Sequence, residues 1–419
     1  MTAIVGVLNK HGVALAADSA VTFGNTHKVV NTGNKVFALS KYYPVTVATY
    51  GISSFMGVPW DIILKLYRKQ LQRQSFLTLK EYVLDLIQFL HNNDFFSDET
   101  TKHQYLQENI RDFYNKISVQ AKAEKGYSEE SALDFFEKRL KICVEDNINS
   151  TVLCPEFSDY DYESFIGYSS ADFQVIFKEQ KLICSNESKD LFCKAYYYYL
   201  RIALFTRDAS GLIVAGYGES EIYPSLFSIV LTFGLDGRLH YYWTEQAIIK
   251  EHGTVASVIP FAQIDVAQTI IRGVNPSFYE VIAQTFKESI GGLVSLIAGV
   301  IKNVDLEASK TIKKLNTEAI SQEFIAKTQS QFKQRYTDAL LNTIVGLDKE
   351  DMSNMAESFV SLTSLVRRMS PGEETVGGPV DVVFVSKCDG LIWMKRKHYF
   401  DPSLNTHFFA NYYRNDNEQ

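Results

Sequence analysis

Cysteine is scarce and unpatterned in this chain. Cys143, Cys154, Cys184, Cys193 and Cys388 make an odd set of five in 419 residues, with no CxxC spacing. That pattern excludes a disulfide framework and a structural zinc site as readings, and makes reduced thiols in a cytoplasmic protein the expectation. Long hydrophobic runs are missing too. The longest, Ile290 to Ile301, is about a dozen residues with three glycines, whereas a bilayer span takes roughly 20. A buried or interfacial helix is expected there, and no membrane partner. The opening residues, MTAIVGVLNKHGVALAADSA, lack a basic n-region and the usual cleavable signal order, so they read as structure. Charge of one sign is not in marked excess: the net value is −7, and the basic cluster Lys395, Arg396, Lys397 is short. Nucleic acid is not an expected partner. The chain has no HExxH and no GxSxG, and Gly51-Ile52-Ser53-Ser54 is not such an elbow. Gly216-Tyr217-Gly218 lacks the third glycine of a dinucleotide cradle and reads as a strand end. No metal and no cofactor is expected.

What is present is ordinary globular usage, 46% hydrophobic and 22% charged, enough for one elaborated domain or two to three smaller ones. Ala3 to Leu8 and Val13 to Ala17 flank a turn at Asn9 to Gly12, which predicts a hairpin ending on Asp18. Lys35 to Leu39 and Val45 to Tyr50 read as a second β pair, the latter running into Gly51. Pro59 suits a first helical turn, followed by Trp60, Ile63, Leu64, Tyr67 and Leu71 at helical spacing. Thr78-x-x-Glu81 is a capping box opening a second helix. Residues 93–205 alternate charged and aromatic positions, including the run Tyr196 to Tyr199, with no assignable motif. Strands return at Leu212 to Ala215, at Ser225 to Phe233 and Arg238 to Trp243 around Asp236-Gly237, and at Val380 to Ser386 and Leu391 to Arg396 around Asp389-Gly390. Between roughly 260 and 370 the pattern is helical. Strands, helices, strands, helices, strands predict an α+β arrangement of antiparallel sheets covered by helices.

The segment TAIVGVLNKHGVALAADSAVTFGNTHKVVNTGNKVFAL resembles the N-terminus of proteasome β-type subunits and of their bacterial, ATPase-partnered relatives, which are N-terminal-nucleophile hydrolases. Thr2 stands where their mature nucleophile stands. Asp18, in Ala16-Ala17-Asp18-Ser19, falls at the family spacing, Gly24-Asn25-Thr26 is close to the bacterial version, and Lys35 before Val36 matches the family lysine with one inserted residue. The resemblance implies a four-layer αββα sandwich with helical insertions: core segments at 1–92, 206–275 and 361–419, and insertions at 93–205 and 276–360. It also implies a peptide or amide substrate, a homo-oligomer and an ATPase partner.

The chemistry suits these residue types. A threonine hydroxyl is a poor nucleophile, but the α-amine of the same residue, with a pKa near ~7.7 to 8.0, takes its proton near neutrality. An ammonium at Lys35 lowers the amine and hydroxyl pKa values, and a carboxylate at Asp18 holds that lysine charged and oriented. By the resemblance, the oxyanion donor is a main-chain N–H near Gly51. Phe261-Ala262-Gln263-Ile264-Asp265 replaces the family's glycine and serine cluster, leaving Gln263 or Asp265 to hydrogen-bond the Thr2 amine. Glu373 and Val376 stand where a supporting Asp and Ser usually stand, before Gly377-Gly378. The resulting expectation is a threonine hydrolase acting after Met1 is removed. The alternative is an inactive scaffold or regulatory subunit that keeps Met1.

Overall fold

The computed structural model describes residues 2–23, 28–92, 98–150, 152–180, 183, 185–203, 209–302, 305–370, 376–397, 400–407 and 410. Met1, the Gly24-Asn25-Thr26 segment and Glu373 therefore lie outside the described residues. Two compact units divide the chain, Met1–Lys35 with Ala247–Gln419, and Val36–Gln246. The first unit begins with β1 (Ala3–Asn9), β2 (Gly12–Ala17), β3 (Val21–Phe23) and β4 (Lys28–Val30). The second contains β5 (Val36–Ala38), β6 (Val45–Gly51), β7 (Ser54–Phe55), β8 (Val58–Pro59), α1 (Trp60–Leu71), α2 (Leu79–His91), α3 (Glu99–Lys122), α4 (Ala132–Ile148), α5 (Tyr162–Glu179), α6 (Asn186–Arg201), β9 (Ser210–Gly216), β10 (Ser225–Leu235) and most of β11 (Arg238–Ile248). The chain then returns to the first with β12 (Ala256–Ala262), α7 (Asp265–Arg272), α8 (Pro276–Ile301), α9 (Leu306–Lys313), α10 (Thr317–Phe332), α11 (Asp338–Val345), α12 (Lys349–Met369), β13 (Asp381–Ser386) and β14 (Gly390–Lys395). The class is mixed α+β with antiparallel sheets and many helices, as the pattern predicts.

In the first unit the sheet order is β12-β1-β2-β13-β14, with antiparallel pairing throughout the described ladders. Small residues let the centre close tightly. A Cβ on Gly12 would lie 2.5 Å from the Val385 carbonyl oxygen and 2.6 Å from the Phe384 ring. Successive side chains alternate faces, so Val5 and Val7, Ala14 and Ala16, and Val382 and Phe384 form one apolar face. Helix α12 buries Met352, Ala356, Phe359 and Val360 in the same cluster. Each large side chain so buried contributes about 1.5–3 kcal/mol. Asn9, buried at the end of β1, donates from Nδ2 to the carbonyls of Ile344 (2.8 Å) and Leu347 (2.9 Å), satisfying acceptors at the end of α11.

In the second unit the order is β11-β10-β9-β6-β5. Its core is strongly aromatic: Phe113, Phe136, Phe165, Phe173, Phe192 and Tyr196 from α3 to α6 pack at tilted, stacked and edge-on angles. The capping box forms, with Glu81 accepting from the Thr78 N–H at 3.1 Å. Trp60, Ile63, Leu64, Tyr67 and Leu71 line the buried face of α1.

Three local expectations need correction. Pro59 ends β8 and caps α1 instead of entering its first turn. Strand β12 occupies 256–262, where the helical pattern was expected to begin near 260. And of the two placements expected for the Ile290–Ile301 run, buried or interfacial, the helix it forms does not take the buried one: within α8 the one buried residue is Ala298.

Candidate active site

The β1–β2 hairpin turns at Lys10 and His11 and returns residue 18 beside residue 3. The two exchange bonds there. The Asp18 N–H donates to the Ala3 carbonyl at 3.1 Å, and the Ala3 N–H donates to Asp18 Oδ1 at 2.9 Å. Thr2, one residue earlier, is buried, and its carbonyl accepts from the Gln263 N–H at 3.1 Å. Its hydroxyl makes no hydrogen bond among the described residues.

Asp18 is 1% exposed and accepts four hydrogen bonds: Ala3 N–H and Lys35 Nζ (2.7 Å) on Oδ1, Ala20 N–H (3.1 Å) and Gly377 N–H (3.2 Å) on Oδ2. That is the full capacity of a carboxylate. Lys35, expected as the head of a strand, sits one residue before β5, with its side chain 7% exposed. Burial pushes its pKa below the ordinary lysine value of 10.5. The Asp18 charge and hydrogen bond push it back up, and the Lys397 charge lowers it further. Lys397 is itself anchored on Asp381, directly opposite Ala17 in the sheet, by its main-chain N–H (2.8 Å) and its ammonium.

Other predicted residues are placed differently. Gln263 and Asp265 turn their side chains to Arg367 of α12: the Gln263 amide oxygen accepts from Nε and Asp265 Oδ1 from Nη2. Gln263 also reaches Thr2 itself, through its main-chain N–H. Val376 is buried, and its carbonyl accepts from the Ser364 hydroxyl at 3.3 Å. Gly51 belongs to the second unit, ends β6 opposite Ser210 and has φ +81°; a Cβ there would lie 2.3 Å from the Ala209 oxygen.

Sequence reasoning missed Arg367, Ala262 and the Gly377 N–H. Arg367 lies about a hundred residues from the acceptors it joins, and nothing in its local sequence signals that. Ala262, paired with Ala3, has φ +65°, an uncommon conformation for a residue with a Cβ.

A second polar cluster sits in the other unit. Cys154 Sγ lies 3.2 Å from His240 Nε2, and His240 Nδ1 lies 2.7 Å from the Thr232 hydroxyl. Burial pushes the thiol up to about 12 and the imidazole down to about 4. A protonated thiol against a neutral, enclosed imidazole is a packed core group, not a nucleophile.

No protein-family model matches this sequence, and no curated protein matches it. Among solved structures, Anbu (ancestral beta-subunit) from Yersinia bercovieri is similar over 98% of this chain and 94% of that chain, at TM-score 0.30 and 9% identity. Similarity at that level carries no argument about fold or chemistry, so the functional reading rests on the residues of the first unit.

Proposed function

We propose that this chain is a proteasome-like threonine hydrolase that cleaves peptide or amide bonds with Thr2 once Met1 has been removed. The observation that carries the reading is the Asp18 carboxylate, whose single oxygen Oδ1 binds both the Lys35 ammonium and the N–H next to Thr2. A surface turn residue or a solvated strand-end lysine has no reason to be buried in this way.

In the proposed reaction the Thr2 α-amine takes the hydroxyl proton as Oγ1 attacks the substrate carbonyl carbon. The tetrahedral intermediate collapses, the C–N bond breaks, and the amine returns the proton to the leaving nitrogen. Water, deprotonated by the same amine, then releases the acyl group and regenerates the hydroxyl. Lys35 lowers the amine pKa by its charge, and Asp18 fixes Lys35. Gln263 and Asp265 act by holding the Thr2 strand end through Arg367. Met1 must leave, because an acylated amine is not a base.

The same reading includes a four-layer sandwich whose helical stretches at 93–205 and 276–360 are insertions, a cytoplasmic homo-oligomer, and an ATPase that delivers substrate. One observation favours a second reading, an inactive scaffold that retains Met1: Val376, where the resemblance calls for a hydrogen-bonding serine, offers the site no side-chain donor. Hydrolysis of a panel of fluorogenic peptide amides by the native-start protein separates the two. Turnover that survives in Thr2→Ser and vanishes in Thr2→Ala supports the hydrolase; no turnover with any amide supports the scaffold.

A further inference from the structure

Helices α8, α9 and α10 hold each other but leave one end of α8 uncovered. Helices α8 and α10 run antiparallel, tied by Phe286 stacked on Phe324 at 3.9 Å, Lys287 paired with Glu318 at 2.5 Å, and Tyr279 edge-on to Phe332 at 6.0 Å. Helix α9 folds back on the far end of α8, where the Ser309 hydroxyl donates to the Ala298 carbonyl at 2.7 Å. From Ser289 to Ile301 there is no charged residue. Within that stretch Leu293 is 53% exposed, and Leu296 and Val300 are each 66% exposed; Leu315, just past α9, is 52% exposed. A Cβ added at Gly291, Gly292 or Gly299 meets nothing within 4 Å. An apolar end this open marks a surface that something covers.

The charges around it indicate what. Lys302, Lys310 and Lys314 flank this end against Asp305 and Glu307, in a chain whose net charge is −7. Both acids are already engaged: Asp305 caps α9 through the Ala308 N–H, and Glu307 pairs with Lys310. Lys302 and Lys314 make no ion pair among the described residues. A second copy docked patch to patch, as in a two-fold dimer, would bring like-charged lysines together around the apolar contact. An anionic bilayer surface accepts both parts, taking the aliphatic side chains among its acyl chains and the ammonium groups among its headgroups. Helix α8 is long and apolar enough to cross a membrane by length and composition. Glu280, Lys287 and Glu288 stand in its first half, however, and α9 returns to it, so crossing would drag charge into hydrocarbon, whereas shallow insertion of the far end does not.

We propose that this end of α8, with α9, is a lipid-docking tip: Leu293, Leu296, Val300 and Leu315 enter the interfacial layer of an anionic bilayer while Lys302 and Lys314 contact its headgroups. This departs from the expectation of no membrane partner, which rested on the lack of a spanning run and not on what α8 exposes. It is independent of the threonine chemistry. The test is co-sedimentation of the full-length protein with phosphatidylcholine vesicles, with and without phosphatidylserine. Pelleting with the phosphatidylserine vesicles, weakened by added salt, is expected. Leu296→Asp, at an exposed position that leaves the core intact, weakens that binding about tenfold or more, and Lys302→Glu with Lys314→Glu weakens it independently. The proposal is overturned if the protein stays in the supernatant with both vesicles, or if Leu296→Asp binds as the wild type does. It is equally overturned if sedimentation velocity shows a self-associated protein that Leu296→Asp dissociates, with no vesicle binding, which assigns the surface to a second copy.

Discussion

Asp18 and Lys35 form a buried ion pair 2.7 Å long whose two members are unequally supported. Asp18 also accepts three main-chain N–H groups, from Ala3, Ala20 and Gly377, whereas Asp18 is the one acidic partner the lysine has among the described residues. The asymmetry makes the carboxylate the organising group of the site and the lysine its dependent.

Removing the two partners should therefore cost different amounts. Asp18→Asn strands a buried ammonium and is expected to destabilise by about 3–5 kcal/mol. Lys35→Met leaves a carboxylate that still has three donors and is expected to cost about 1–2 kcal/mol. Urea unfolding of both variants measures this, and equal losses would contradict the hierarchy.

Stability in alkali should carry the signature of Lys35. Its folded-state pKa is depressed below 10.5, so just below that pH the unfolded chain binds more protons than the folded one. Stability from this group therefore rises with pH through that window. Lys35→Met should flatten the rise relative to wild type. Tyrosines with raised pKa values act oppositely at higher pH, but equally in both proteins, and cancel in the difference.

His240 should dominate a response in acid. With a folded pKa of about 4 against 6.5 for the free side chain, the folded state takes up its proton late. Stability is lost as pH falls through that interval, by about 3 kcal/mol when complete. His240→Gln should remove most of that slope in unfolding midpoints measured between these pH values.

Gly51→Ala should weaken the second unit regardless of catalysis. The residue has φ +81°, and a Cβ would lie 2.3 Å from the Ala209 oxygen. A loss of about 1–3 kcal/mol follows from strain and displacement, read as a lower unfolding midpoint.

Much of this was legible in the sequence because the local signals were strong. The β1–β2 hairpin announces itself by alternating small and branched residues around a polar turn, and Thr78-x-x-Glu81 carries its helix start in four residues. Strand β12 was not legible because Pro260 interrupts its pattern; it is tolerated since β12 lies at the sheet edge, paired on one side with β1. The roles of Gln263 and Asp265 were obscured for another reason. Both side chains are claimed by Arg367, a tertiary contact with no local trace. The exposure of α8 was likewise invisible, since an apolar helical run reads the same whether it is covered or open.

The central claim is tested most directly by the intact mass of the native-start protein before and after incubation with a threonine-directed β-lactone. The account predicts a chain lacking Met1 that gains one adduct, absent in Thr2→Ala and strongly slowed in Lys35→Met. A chain that retains Met1 and gains no adduct would contradict it and leave the Asp18–Lys35 pair as a structural element of a non-catalytic protein.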